Sequence, residues 1–115
     1  MKQGYKELIV WQKAIGMVTD IYQITATFPK EERYGLSSQI RRAAVSIPSN
    51  IAEGQGRLSN GEFRQFLGIA KGSLHELETQ LIIARNLGYL DTTNPVFARV
   101  SEVARLLNGL LNSFK

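Results

Sequence analysis

The 115-residue chain contains no cysteine. That excludes disulfides, thiol catalysis and zinc–thiolate sites, and it fits a reducing compartment. Histidine is nearly absent too: His75 is alone. A di-iron site in a helical bundle needs inward-facing Glu-x-x-His pairs, and the residue three before His75 is Gly72, so the expectation is a surface or partly buried histidine and no metal. One imidazole with no supporting pattern also leaves no Ser–His–acid arrangement. The Gly54-Gln55-Gly56 run lacks the lysine and hydroxyl of a nucleotide-binding loop. Long hydrophobic runs are missing as well. The LIVW patch at residues 8–11 is far shorter than a signal-peptide core or a membrane span. The expectation is a cytoplasmic, soluble protein with no membrane partner, no cofactor and no catalytic residues, and therefore not an enzyme.

What is present is ordinary globular material. Apolar residues make up 43% and charged residues 21%, enough to build one core in one domain spanning residues 1–115. Fourteen basic against ten acidic side chains give a net charge of +4. Scattered, that is a weak pointer to nucleic acid; repeated around an assembly it would gain force.

Apolar residues recur at helical spacing four times. The first helix is predicted from about Glu7 to Thr27, with Leu8, Trp11, Ile15, Val18, Tyr22 and Thr25 on its stripe. Trp11 and Tyr22 therefore read as core residues with polar tips near the surface, the alternative being a base-stacking platform. Phe28-Pro29 closes this helix. Ser59-Asn60-Gly61-Glu62 reads as the capping box of a third helix, whose stripe runs Phe63, Leu67, Ala70, Leu74, Leu77, Leu81 and Ala84 until Gly88 stops it. Gly72-Ser73 in its middle predicts close approach of another helix. Pro95 suits the first turn of a fourth helix, and its surplus of leucine points to subunit contact. Short connections make the predicted fold all-α, an antiparallel up-down-up-down four-helix bundle.

The densest stretch is Arg33–Arg57, RYGLSSQIRRAAVSIPSNIAEGQGR. Leu36, Ile40, Ala43, Ala44, Ile47 and Ile51 form its apolar face. A parallel polar stripe carries Gln39, Arg42, Ser46, Ser49, Asn50 and Glu53, short groups suited to a crowded, hydrogen-bonded seam. Pro48 removes a backbone donor and predicts a bend or break near residues 44–48. Glu53, or Glu76 on the third helix, is in position to meet Arg42. We read Arg42, Ser46, Asn50, Glu53 and Glu76 as a structural polar network, in preference to acid–base work by the two glutamates. If Arg42 joins the inner seam, Arg41 must face outward or toward a neighbouring subunit, since neighbours on a helix point about 100° apart. Arg33, Arg41, Arg42, Arg57 and Arg64 are the candidate phosphate contacts, as a basic rim near the connections; solvated salt bridges are the plainer alternative.

The run YGLSSQIRRAAVSIPSNIAEG, preceded by LIVWQKA (8–14) and followed by FLGIAKGSLHELETQL (66–81), resembles the 23S rRNA intervening-sequence protein family, small bacterial proteins also called four helix bundle proteins. The likeness extends from about Glu7 to about Leu90. It implies the antiparallel bundle and a ring-like homo-oligomer, commonly a pentamer. The accessory proteins of diversity-generating retroelements look similar and bind nucleic acid and a reverse transcriptase through a positive surface. By that resemblance, Arg41, Arg42 and Arg57 would contact structured RNA or other nucleic acid. The competing expectation is a purely structural module that assembles with itself or with a protein partner.

Overall fold

The computed structural model describes residues 4–114. They form four α-helices and no strand: α1 Ile9–Thr25, α2 Leu36–Gln55, α3 Asn60–Asn86 and α4 Val96–Asn112, with short 3₁₀ turns at Tyr5–Glu7 and Lys30–Glu32. Each helix packs on two others: α1 on α2 and α4, and α3 on α2 and α4. That closed square, with the diagonal pairs apart, is the up-down-up-down bundle. The antiparallel sense is visible in the contacts. Across α1 and α4, Lys13 pairs with Glu102 at 3.6 Å and Asp20 with Arg99 at 3.0 Å. Across α3 and α4, Phe63 meets Phe114 edge-on with ring centres 5.4 Å apart.

The core follows the expected stripes in α2 and α3 but not in α1, where Val10, Ala14, Met17, Ile21 and Thr25 are buried while Ile15 and Tyr22 of the expected stripe are exposed and Leu8, Trp11 and Val18 only half-buried. Ala14, Met17, Ile21, Ile40, Ile47, Ile51, Leu67, Leu77, Leu81, Val103 and Leu107 are fully buried. The ends of α3 are set by local chemistry. Ser59 Oγ accepts from the Glu62 N–H at 3.2 Å, capping the start, while the Glu62 carboxylate accepts from the Ser59 hydroxyl. At the far end Gly88 takes φ +83°, with Gly88 N–H bonded to the Arg85 carbonyl and Tyr89 N–H to that of Ala84. This is the Schellman closure that favours glycine. At α4 the cap is Asn94, whose Oδ1 accepts from the Val96 N–H at 2.9 Å; Pro95 sits just before the first helical residue.

Several expectations change. Pro48 does not break α2, which runs unbroken from Leu36 to Gln55. Pro48 is buried, and the remaining ladder and packing of α2 absorb the one lost donor. The close approach between α2 and α3 is made by Ser73 and not by Gly72, where an added Cβ would meet nothing within 4 Å. The glycine that does sit in a tight contact is Gly54, whose added Cβ would lie 2.5 Å from Phe66 Cβ and 3.3 Å from the Phe63 carbonyl. The leucines of α4 lean on the core: Leu106, Leu110 and Leu111 are partly buried against it, and none of the large exposed apolar residues lies on α4. Those residues lie instead on α1, α2, α3 and the connections, among them Ile15, Tyr22, Val45, Ile69 and Ile83. Among the described residues, no helix is long and apolar enough to cross a membrane.

Candidate nucleic-acid interface

The connection between α1 and α2, residues 26–35, is held firmly at one end of the bundle. Phe28 is buried and packs on Tyr89 with ring centres 5.3 Å apart. The Tyr89 hydroxyl donates to Glu32 Oε2 at 2.8 Å, and Glu32 Oε1 accepts from the Leu36 N–H at 3.2 Å. Donation to that carboxylate, with burial and the charges of Glu32 and Glu31 behind it, holds the Tyr89 hydroxyl above the ordinary tyrosine pKa. Glu32 is thus committed to the fold, and neither Lys30 nor Arg33 has an ion-pair partner among the described residues.

Arg41 reaches the same place from the first half of α2. Its Nε donates to Thr25 Oγ1 at 2.7 Å and its Nη2 to the Tyr22 carbonyl at 3.2 Å, while the guanidinium lies 4.5 Å from the centre of the Tyr22 ring. Thr25 is buried and its hydroxyl donates a hydrogen bond to the Ile21 carbonyl, so the acceptor facing Arg41 is fixed in direction. The two bonds and the ring hold the guanidinium in one orientation with Nη1 unpartnered among the described residues. Lys30, Arg33 and Arg41, with Ser37, Thr25 and Phe28, line one cleft of about 220 Å³. No carboxylate lines it. Beside it Tyr34 is 86% exposed, and Arg33 lies 5.4 Å from its ring centre.

The five candidate arginines do not form one rim. Arg33 and Arg41 share the cleft just described. Arg57 lies at the other end of α2, about 24 Å from Arg41 along the helix axis at 1.5 Å per residue. There it pairs with Glu53 at 2.9 Å and lies 4.7 Å from the Phe66 ring centre. Arg64, exposed on the first turns of α3, belongs to that end. The two adjacent arginines depart from expectation in burial: Arg41 is the half-buried one facing α1, and Arg42 is exposed on the side facing α3. Tyr22 likewise leaves the core, 43% exposed, and Trp11 is half-buried with Tyr5 edge-on at 5.2 Å.

The polar network contracts to three side chains. Ser46 and Ser73 hydroxyls lie 2.8 Å apart across α2 and α3, and Asn50 Nδ2 donates to the Ser46 hydroxyl at 2.9 Å and to its carbonyl at 2.8 Å. Arg42 and Glu76 line the same depression of about 460 Å³ without pairing. Glu53 is taken by Arg57, and Glu76 accepts only a long 3.4 Å bond from Gln80. No two carboxylates converge with a base or nucleophile here, and no group of three or more His, Asp or Glu side chains among the described residues is placed to hold a metal ion. His75 is exposed.

Sequence reasoning missed Lys30, Ser37 and Tyr34. They fall in the connection and the first turn of α2, where no helical period marks them, and only the packing of α1 on α2 draws them beside Arg41.

The sequence model for the 23S rRNA-intervening sequence protein family matches residues 6–109. The chain belongs to that family. A solved structure with the same fold is a protein of unknown function from the S23 ribosomal protein family of Bacteroides thetaiotaomicron. It is 23% identical, with a TM-score of 0.82 over 90% of this chain and 98% of that one. At that identity the likeness speaks for the fold. No protein of curated function matches. The family match covers all five candidate arginines and the cleft residues, so the site described above lies wholly within the part of the chain that defines this intervening-sequence family.

Proposed function

We propose that this protein is a non-enzymatic, oligomeric bundle that associates with structured RNA or another nucleic acid through its basic end. The observation that carries this reading is the cleft where Lys30, Arg33 and Arg41 converge with no carboxylate among its lining. Cations left unpaired beside an oriented guanidinium are what a phosphate contact needs. The family's link to 23S rRNA intervening sequences supports RNA as the ligand. The test is binding of RNA by the Lys30→Ala/Arg33→Ala protein, since neither side chain bonds another group of the fold. Loss of affinity is the expected result; unchanged affinity refutes the reading.

A second reading, assembly with further copies of this chain and no nucleic acid, draws on a different surface. An apolar groove runs along α1 and α2, with Tyr5, Trp11, Ile15, Val18, Val45 and Pro48 in its wall, and continues past Val45 to Tyr22 and Ala26. An unpartnered apolar surface of this kind marks an interaction site. Its measurement is the mass in solution, expected at a multiple of the 12.9 kDa chain; a monomer at micromolar concentration contradicts assembly.

A further inference from the structure

Resting on the nucleic-acid reading above, we propose that the basic cleft takes an unpaired, single-stranded segment: one backbone phosphate seated among Lys30, Arg33, Ser37 and Arg41, and the flanking bases stacked at Tyr22 and Tyr34. Two independent observations converge on it. The first is Ser37. It is only 6% exposed and lines the cleft, yet its hydroxyl makes no hydrogen bond among the described residues. The oxygen itself is not sealed in the core, since the fully buried side-chain polar atom without a partner among the described residues is Gln80 Oε1. The Ser37 oxygen opens on the cleft, where a phosphate oxygen is an acceptor that suits both the hydroxyl and the three cations.

The second is the pair of arginine–tyrosine contacts that flank the cleft. Arg41 lies over Tyr22 at 4.5 Å and Arg33 lies against Tyr34 at 5.4 Å. Tyr34 is 86% exposed and Tyr22 43% exposed, both on the surface beside the cleft. An aromatic ring that exposed adds nothing to the core. Rings and guanidinium planes next to a phosphate seat are the standard platform for splayed bases, and stacking of this kind is available only to bases outside a duplex. A paired helix would present its backbone to the cations but keep its bases from the rings. The cleft is also small, about 220 Å³, which suits a single phosphate with its sugar.

The experiment measures binding of two probes, a 12-nucleotide oligouridine and a 12-base-pair RNA duplex, by the wild-type protein and by the Tyr34→Ala, Tyr34→Phe and Ser37→Ala proteins. Tyr34 is exposed and Ser37→Ala removes one atom from a buried site, so each variant is expected to fold, as checked by its melting curve. The single strand is expected to bind about tenfold or more tightly than the duplex. Tyr34→Ala is expected to weaken strand binding about five- to hundredfold, Tyr34→Phe to leave it unchanged, and Ser37→Ala to weaken it. Equal binding of strand and duplex, with Tyr34→Ala silent while Lys30→Ala/Arg33→Ala weakens both, overturns the single-strand inference and leaves the nucleic-acid reading standing. No binding of either probe overturns both.

Discussion

At the scale of single residues, glycine is used in opposite ways along this chain. Gly54 is where α2 and α3 touch backbone to side chain, and a methyl group there would press to 2.5 Å from Phe66 Cβ. Gly54→Ala is expected to cost about 1–3 kcal/mol, the range for overpacking, offset in part by the better helix propensity of alanine. Urea denaturation checks it, and an unchanged midpoint contradicts the tight seam. Tyr89 illustrates a second local device. Its hydroxyl, held above the ordinary tyrosine pKa by donation to Glu32, stabilises the fold fully below the unfolded-state pKa near 10. That contribution is lost as pH rises through the still higher folded value. Tyr89→Phe is therefore expected to melt below wild type at pH 7, with the gap closing in strongly alkaline buffer; a gap independent of pH contradicts the role of the bond. The limits of sequence reading also show at this scale. Periodicity placed Arg42 on the α3 side with Gln39 and Ser46, where it lies, but as a buried member of the seam when it is exposed, and it did not place Arg41 against α1. Both lie near the boundary between core and surface, and which one turns inward is decided by Thr25 on α1, sixteen residues away in sequence.

At the scale of elements, helix number, order and stops were legible because each rests on local chemistry: the apolar period, the Ser59–Glu62 cap, the left-handed Gly88. The α2–α3 seam was legible too, since short polar residues on one face of a helix have few other uses, and the Ser46–Ser73–Asn50 link is what that composition builds. Its charged members were not, because Glu53 found a nearer partner one turn away in Arg57. Of the bend or break expected at Pro48, the break does not occur: burial of Pro48 and of Ile47 and Ile51 around it keeps the helix continuous. Gly72 on α3 faces open space and packs against nothing. Gly72→Ala is expected to stabilise the monomeric bundle by about 1 kcal/mol through helix propensity alone, a rise of several degrees in Tm. A fall in Tm, or loss of a higher-mass species, would mean that another chain covers this face.

At the scale of the whole molecule, charge is distributed unevenly in a way the net value of +4 conceals. Arg57 is paired with Glu53, while the cleft at the Arg33–Arg41 end has no carboxylate in its lining. Glu31 and Glu32 lie on the same connection as Lys30 and Arg33 and keep their charge, but Glu32 is turned to Tyr89 and the α2 backbone, and neither glutamate lines the cleft. This local arrangement of charge is invisible in composition. Contact of the cleft at this end with phosphate is what the proposed function requires. It is tested most directly by the salt dependence of RNA affinity, measured for wild type, Lys30→Ala/Arg33→Ala and Arg57→Ala/Arg64→Ala with one oligouridine strand. The first pair is expected to weaken binding and to lower the slope of log affinity against log salt by up to about 0.7, the value for one single-strand phosphate contact, while the second pair leaves the slope at its wild-type value. Equal losses from the two pairs, or loss from Arg57→Ala/Arg64→Ala alone, would contradict it.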